Sequence, residues 1–125
     1  MRKTILFILL FSVVAAAHTA PPGTAQNFLD RANRLKAKGP FAFFDSDYGR
    51  LKAEATAVGR SIGDDRIAAE RAGRPILYCS PTPRAQLGSF EFIEGLAAIP
   101  PAERAGMSLK EAMLRILQKK YPCRR

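Results

Sequence analysis

Histidine is nearly absent from this sequence of 125 residues, and its shortage limits the chemistry that the chain can perform. His18, the single histidine, lies near the N-terminus. One histidine excludes a multi-histidine metal site, and its terminal position is unsuited to a Ser–His or Cys–His nucleophile pair. The glycine spacings of the Rossmann and P-loop phosphate sites are missing as well. We therefore predict a protein that is not an enzyme, with no catalytic residue, no metal ligand and no cofactor.

Carboxylates acting in pairs would be the remaining route to catalysis. Each local pair stands beside basic residues on a predicted helix face or cap, so we interpret the pairs as solvated or capping groups. The first pair also begins like a calcium loop, but Arg50 stands where an EF-hand needs glycine. The three pairs are Asp45 with Asp47, Asp64 with Asp65, and Glu91 with Glu94.

Long apolar runs are also scarce, and the only one lies at the start of the chain. Ile5–Ala17 is 13 residues long, whereas a transmembrane helix needs about 20. It follows the basic Met1–Lys3 and ends in the alanines 15–17, which is the pattern of a cleaved signal peptide. We predict a signal peptide over 1–17, cleavage near Ala17, and a periplasmic single helical domain over 18–125. A retained membrane anchor is the alternative.

Acidic residues are few relative to basic ones. The chain has 11 Asp and Glu against 20 Lys and Arg, a net charge of +9, which cleavage would lower to +7 by removing Arg2 and Lys3. Such an excess attracts an acidic protein or anionic lipid, or it simply keeps the surface soluble. Nucleic acid is not favoured, because the aromatic residues are not interleaved with the basic ones.

Cysteine occurs only twice, at Cys79 and Cys123. In an exported chain two cysteines favour a disulfide, because the oxidising envelope lets the bond form and persist. A bond between Cys79 and Cys123 would close a loop in the unfolded chain. The entropy that the unfolded chain loses would stabilise the fold by roughly 4 kcal/mol in the chain-entropy model. We predict a structural disulfide.

What the sequence does contain is helical spacing of apolar residues, which predicts an all-α bundle of about four helices. The N-terminal helices, over 24–73, comprise one from the Thr24 cap to about Lys38 and a long one from about Asp47 to Ala72. Between them Phe41-Ala42-Phe43-Phe44 is apolar enough to predict a short turn buried in the core. A partner-binding patch is the alternative for these aromatic residues.

The segment 76–125 predicts a helical hairpin closed by the disulfide. An extended stretch, Ile76–Cys79, precedes a helix from a Ser89 cap to Ala98, and Ile99-Pro100-Pro101 joins it to a helix over Ser108–Lys120. Ser108 and Glu111 form a capping box at the start of the last helix. The first helix contains the apolar residues Phe90, Ile93, Leu96 and Ala97. The predicted buried face of the second is Leu109, Met113, Ile116 and Leu117.

This hairpin resembles the Rap/Tai immunity proteins. The resemblance lies in Tyr78-Cys79-Ser80-Pro81, in the proline turn at Ile99-Pro100-Pro101-Ala102, and in the last helix closing at Tyr121-Pro122-Cys123. It covers about Tyr78 to Arg125 and reaches residues 24–75 only loosely. Family members often carry further cysteines in the N-terminal half, and this chain has none there.

The resemblance implies a small exported helical protein that neutralises an amidase toxin delivered by type VI secretion. Its partner would be the amidase effector, bound by protein–protein contact. The loops 80–88 and 100–107 are the candidate contact surfaces, through Thr82, Arg84, Gln86 and Arg104. A small periplasmic stress chaperone that unfolds in acid, or a cationic envelope protein held electrostatically, is the alternative.

Overall fold

A computed structural model describes residues 19–82 and 84–124, so the predicted signal peptide and His18 lie outside the described residues. The all-α prediction is confirmed: these residues form five α-helices and one 3₁₀ turn, with no β-strand. None of these helices is long and apolar enough to span a bilayer. The elements are α1 (Ala25–Ala37), the aromatic turn (3₁₀, Gly39–Phe44), α2 (Ser46–Arg71), α3 (Ser89–Ala98), α4 (Pro101–Gly106) and α5 (Leu109–Lys120).

Helix α1 begins and ends where its local sequence predicts. The Thr24 hydroxyl accepts a hydrogen bond of 3.2 Å from the backbone N–H of Asn27, which satisfies a donor that the first turn leaves free. Gly39 then adopts a φ of +55°, a conformation that residues with a side chain rarely adopt, and the chain turns out of the helix. Phe28, Leu29 and Leu35 are buried on the face that α1 turns toward the core.

Helix α2 is the longest element and runs without interruption through Gly59 and Gly63. Its N-cap is Asp45, whose carboxylate accepts a 2.8 Å hydrogen bond from the backbone N–H of Asp47. The buried side chains are Leu51, Ile62 and Ala69, with the half-buried Ala55 and Val58 between them. The face of α2 that carries this stripe packs against α1 and α5.

The aromatic turn overturns the prediction that its phenylalanines fill the core. Phe41, Phe43 and Phe44 are 73%, 69% and 88% exposed. Only Ala42 packs against the core. A 3₁₀ turn has three residues per turn, so it directs only one side chain in three inward. Here Ala42 takes that position, and the phenylalanines on either side of it do not.

Helix α3 differs from its prediction in cap and in register. Gly88, not Ser89, is the N-cap, and its backbone N–H donates to the Glu91 carboxylate at 3.3 Å. Phe92 is buried and Phe90 is 84% exposed, whereas the sequence pointed to Phe90 as the apolar aromatic of this helix. The face that packs on α1 and α5 carries Phe92 and Leu96, four residues apart, so the second aromatic of the Phe-Glu-Phe triplet is the core residue.

The connection after α3 also differs, because the predicted loop over 100–107 contains helix α4. Pro101 occupies the first helical position, where its missing N–H costs nothing. The capping box of α5 is confirmed: the Ser108 hydroxyl accepts from the N–H of Glu111 at 3.1 Å, and the Glu111 carboxylate accepts from the N–H of Ser108 at 2.9 Å. Leu109, Met113 and Leu117 are buried as predicted, and Ile116 is half-buried.

A single core cluster joins both halves of the chain. The rings of Phe28 on α1 and Phe92 on α3 lie 5.4 Å apart, between centroids, at an angle of 56°. Two backbone hydrogen bonds then tie the segment before α1 to the start of α5: Ala25 N–H to Met107 O at 2.9 Å, and Leu109 N–H to Gly23 O at 3.0 Å. The ends of α1 and α5 are therefore fixed against each other.

Candidate functional site

The first candidate site is the loop from Ser80 to Leu87, which the predicted disulfide holds at one end. Cys79 and Cys123 are bonded, with their Cα atoms 4.9 Å apart, so this prediction is confirmed. The backbone N–H of Cys79 also donates to Tyr121 O at 2.8 Å. The loop therefore leaves the body of the protein from a covalently fixed point beside the end of α5.

The other end of the loop is held by side chains of the last turn of α5 and the residue after it. The Tyr121 hydroxyl donates to Gln86 O at 2.9 Å, and it accepts a hydrogen bond of 3.3 Å from the backbone N–H of Gln86. Lys120 Nζ donates to Gln86 O and to the Glu91 carboxylate, each at 2.7 Å. The Lys120 ammonium lowers the pKa of Glu91, so the carboxylate stays charged and keeps its hold on Lys120.

The structure brings three of the four predicted contact residues together on this loop. Thr82, Arg84 and Gln86 are all exposed, and the Thr82 hydroxyl donates to Arg84 O at 2.6 Å, which closes a local turn. Their side chains stand on a backbone that is fixed at both ends. A fixed loop loses little conformational entropy on binding, which favours it as a contact surface.

Arg104, the fourth predicted contact residue, has a different role. It is 8% exposed and lies on α4, where its guanidinium donates to Leu96 O at 3.0 Å and Ile99 O at 2.7 Å at the end of α3. Its Nε donates to the side chain of Gln26 on α1 at 2.7 Å. Arg104 therefore joins α1, α3 and α4, and as a buried side chain it offers a partner far less surface than the three residues of the loop.

Four of the six carboxylates that the sequence offers for catalysis have structural partners. Asp45 caps α2 and pairs with Lys38, Asp47 pairs with Arg31 at 2.8 Å, Asp65 pairs with Lys110 at 2.6 Å, and Glu91 pairs with Lys120. Over residues 19–82 and 84–124, no cluster of three or more His, Cys, Asp or Glu side chains gathers where it could hold a metal ion. These four carboxylates therefore act as caps and ion-pair partners, which is a stabilising arrangement.

A groove of about 450 Å³ runs between the second half of α2, the extended segment 74–78 and α5. Arg66 lies in it with its guanidinium carbon 5.1 Å from the centre of the buried Tyr78 ring, a cation–π contact, and its Nε donates to Glu70 at 3.2 Å. Apolar side chains such as Ile62 and Leu114 form much of the remaining wall. The groove thus joins an arginine–tyrosine contact to an apolar lining and assembles no nucleophile with a base.

The second candidate site is the aromatic turn, whose phenylalanines the sequence predicts to be buried in the core. Tyr48 on the first turn of α2 extends it, with its ring centre 5.2 Å from that of Phe43 in an edge-to-face contact. The signal that could have identified this surface is the short connection, since only eight residues, Lys38 to Asp45, lie between α1 and α2. So short a connection has too little chain to fold three rings inward.

Scans against protein-family models, curated proteins and solved structures each found no match to this chain. The resemblance to the Rap/Tai immunity proteins therefore stays a prediction from the sequence of the hairpin. Of the features that this similarity implies, the helical fold and the disulfide are present in the structure.

Proposed function

We propose that this protein is an exported, periplasmic immunity-like protein that inhibits a cell-wall amidase toxin by direct protein–protein contact. One observation carries the proposal: Thr82, Arg84 and Gln86 are exposed on a loop that is held at one end by the Cys79–Cys123 disulfide and at the other by Tyr121 and Lys120. A loop held at both ends suits an inhibitor that blocks an active site, because it loses little conformational entropy on binding.

The chemistry of the loop suits an enzyme cleft. Arg84 supplies a guanidinium that could pair with a carboxylate of the toxin, and Thr82 and Gln86 supply polar groups around it. Pro81 precedes Thr82, and its fixed φ limits the conformations of the free loop at that end. In this proposal the helices α3 and α5 are the scaffold, and the disulfide keeps the loop in its binding conformation.

The direct test is inhibition of amidase toxins by the purified protein. Peptidoglycan cleavage by a panel of amidase effectors, beginning with any encoded beside this gene, is measured with increasing amounts of the protein. The expected result is stoichiometric inhibition of one effector and co-purification with it. If no effector is inhibited, and if expression protects no cell against any of them, the proposal fails.

A charge-reversal pair then tests the loop itself. Arg84→Glu is expected to weaken inhibition by about tenfold or more, since it replaces an attractive charge with a repulsive one at the contact. Arg60→Glu makes the same charge change on the exposed face of α2 and should leave inhibition unchanged. An equal loss in both variants would assign the effect to net charge and would remove the loop from the mechanism.

A further inference from the structure

The aromatic turn exposes three phenylalanine side chains within four residues. Phe41, Phe43 and Phe44 expose between 69% and 88% of their surface, and Tyr48 exposes 38% beside them. A contiguous exposed patch of large apolar side chains marks an interaction surface, whereas single exposed ones are ordinary. By comparison Phe90 and Leu77, exposed elsewhere, belong to no such group of rings.

The backbone holds these rings in fixed positions. Ala42 packs against the core, and the turn is closed by hydrogen bonds from Phe41 N–H to Lys38 O at 3.3 Å and from Asp45 N–H to Ala42 O at 3.1 Å. The contact between Phe43 and Tyr48 fixes two of the rings against each other. The exposed rings are therefore a built feature of the corner between α1 and α2.

The surroundings of the rings are positively charged. The acidic residues nearest to the aromatic turn in sequence already form ion pairs, Asp45 with Lys38 and Asp47 with Arg31. The exposed Arg34 and Lys36 in the last turn of α1, and the exposed Arg50 in the first turns of α2, take part in none of the ion pairs among the described residues. Arg50 acts on Asp45 and Asp47 through its charge alone, without a direct ion pair, and all three cations keep their donors for anions of a partner.

We propose that the aromatic turn is a binding surface for anionic lipid, with its phenylalanine rings in the headgroup–acyl boundary and Arg34, Lys36 and Arg50 against the headgroups. Aromatic and other apolar side chains flanked by Lys and Arg are what interfacial lipid binding requires. The rings are exposed on a tight turn, and none of them lines the groove between α2 and α5. A protruding apolar tip enters a soft bilayer interface without needing the matching pocket that a protein partner must supply.

The absence of tryptophan from the sequence makes a direct test possible. Phe44→Trp places a single indole at the tip of the turn, and Phe90→Trp places one at the start of α3. Vesicles that contain phosphatidylglycerol should shift the emission of the Phe44→Trp protein to the blue and leave that of Phe90→Trp unchanged. Vesicles of phosphatidylcholine alone should produce a much smaller shift, because they lack the anionic headgroup.

Flotation with vesicles then measures the contribution of each part. Replacing Phe41, Phe43 and Phe44 together by Ser should lower binding to phosphatidylglycerol vesicles by about tenfold or more, and Phe90→Ser should not. Arg34→Gln with Lys36→Gln should lower binding by about tenfold, and Lys119→Gln with Arg124→Gln, the same charge loss at the end of the chain, should lower it less. Circular dichroism confirms that each variant is folded.

Three outcomes would overturn the proposal. No flotation with anionic vesicles would exclude lipid as the occupant. Equal losses in the two double-charge variants would show that net charge alone drives binding. A blue shift of Phe44→Trp that depends on protein concentration without vesicles, together with a dimer in sedimentation, would assign the surface to a second copy of the chain. Each result is independent of amidase inhibition, so this inference and the proposed function fail separately.

Discussion

Arg104 is the residue whose role depends most on its surroundings. Its guanidinium donates to the carbonyl oxygens of Leu96, Ala97 and Ile99 at the end of α3, where a helix leaves carbonyls without intrahelical donors. The Leu96 carbonyl also accepts from the N–H of Ile99, so Ala97 and Ile99 depend most on Arg104. A cation at a helix C-terminus is also favoured by the helix dipole. The side chain is 8% exposed, so water cannot replace these hydrogen bonds if the side chain is removed.

Replacing Arg104 by Met should therefore destabilise the protein strongly. The carbonyls at the end of α3 would stay buried without donors, and we expect the free energy of unfolding to fall by roughly 2–4 kcal/mol. Urea denaturation followed by circular dichroism measures the loss. Arg115→Met is the control, because Arg115 pairs with Glu103 at the surface and should change stability by less than about 0.5 kcal/mol. Equal effects in the two variants would contradict the structural role of Arg104.

At the scale of elements, α3 and α5 approach each other closely at Gly95. A Cβ atom added there would lie 2.8 Å from Cδ1, 2.9 Å from Cγ1 and 3.2 Å from Cγ2 of Ile116. Ile116 is β-branched on a helix and has one strongly preferred rotamer, so it has little freedom to move away. The absence of a side chain at position 95 therefore sets the distance between the two helices.

Gly95→Ala should destabilise the protein, although alanine favours a helix over glycine by about 1 kcal/mol. The overlap with Ile116 is expected to cost about 1–3 kcal/mol, which exceeds that gain. Gly63→Ala in α2 is the matched control: no atom lies within 4 Å of its added Cβ, so it should stabilise by about 0.5–1 kcal/mol. Thermal unfolding compares them, and a stabilised Gly95→Ala protein would refute the close contact. Ile116→Val should relieve part of the cost.

At the scale of the whole molecule, the charge pattern predicts sensitivity to acid. Hydrogen bonds from Arg31 and Lys38 lower the pKa values of Asp47 and Asp45, and those from Lys120 and the Ser108 backbone lower the pKa values of Glu91 and Glu111. A carboxyl whose pKa is lower in the folded state binds protons more weakly there than in the unfolded chain. Its contribution to stability is complete above the unfolded pKa of about 4 and is lost as the pH falls through the folded pKa.

The free energy of unfolding should therefore be nearly constant from pH 7 to about pH 5 and should fall steadily below about pH 4. Protonation also leaves the 20 basic side chains unopposed, which adds repulsion across the molecule. Urea denaturation at a series of pH values measures the profile. Because these carboxylates are near the surface, high salt should reduce the slope. A flat profile down to pH 3 would contradict the prediction.

The same acid titration bears on the alternative of an acid-stress chaperone. Such a protein must lose its packing at low pH and expose the apolar side chains of its core, among them Phe28, Phe92 and Leu96. Intact helical circular dichroism at low pH would exclude that function. It would leave the amidase-inhibitor proposal unaffected, because the loop over 80–87 is held by the disulfide at any pH.

The predicted contact surfaces show where sequence reasoning reaches its limit. Thr82, Arg84 and Gln86 could be assigned to an exposed loop because prolines and the cysteine bound that stretch locally. Arg104 could not be assigned, since its partners on α1 and α3 come from distant parts of the chain. The aromatic turn was misassigned for a related reason: hydrophobicity predicts burial on average and does not say whether six residues can reach the core.

The sequence by itself determined the start and end of most helices and the pairing of Cys79 with Cys123. Caps such as Thr24 and Ser108, the left-handed Gly39 and the spacing of α5 act through bonds to neighbours within about one helical turn, so they are legible without the fold. The tertiary structure alone decided that Phe92 and not Phe90 is buried, and that the rings at 41, 43 and 44 face outward. Those choices depend on which helix packs on which face, and a residue's neighbours across the core are fixed only when the whole chain is assembled.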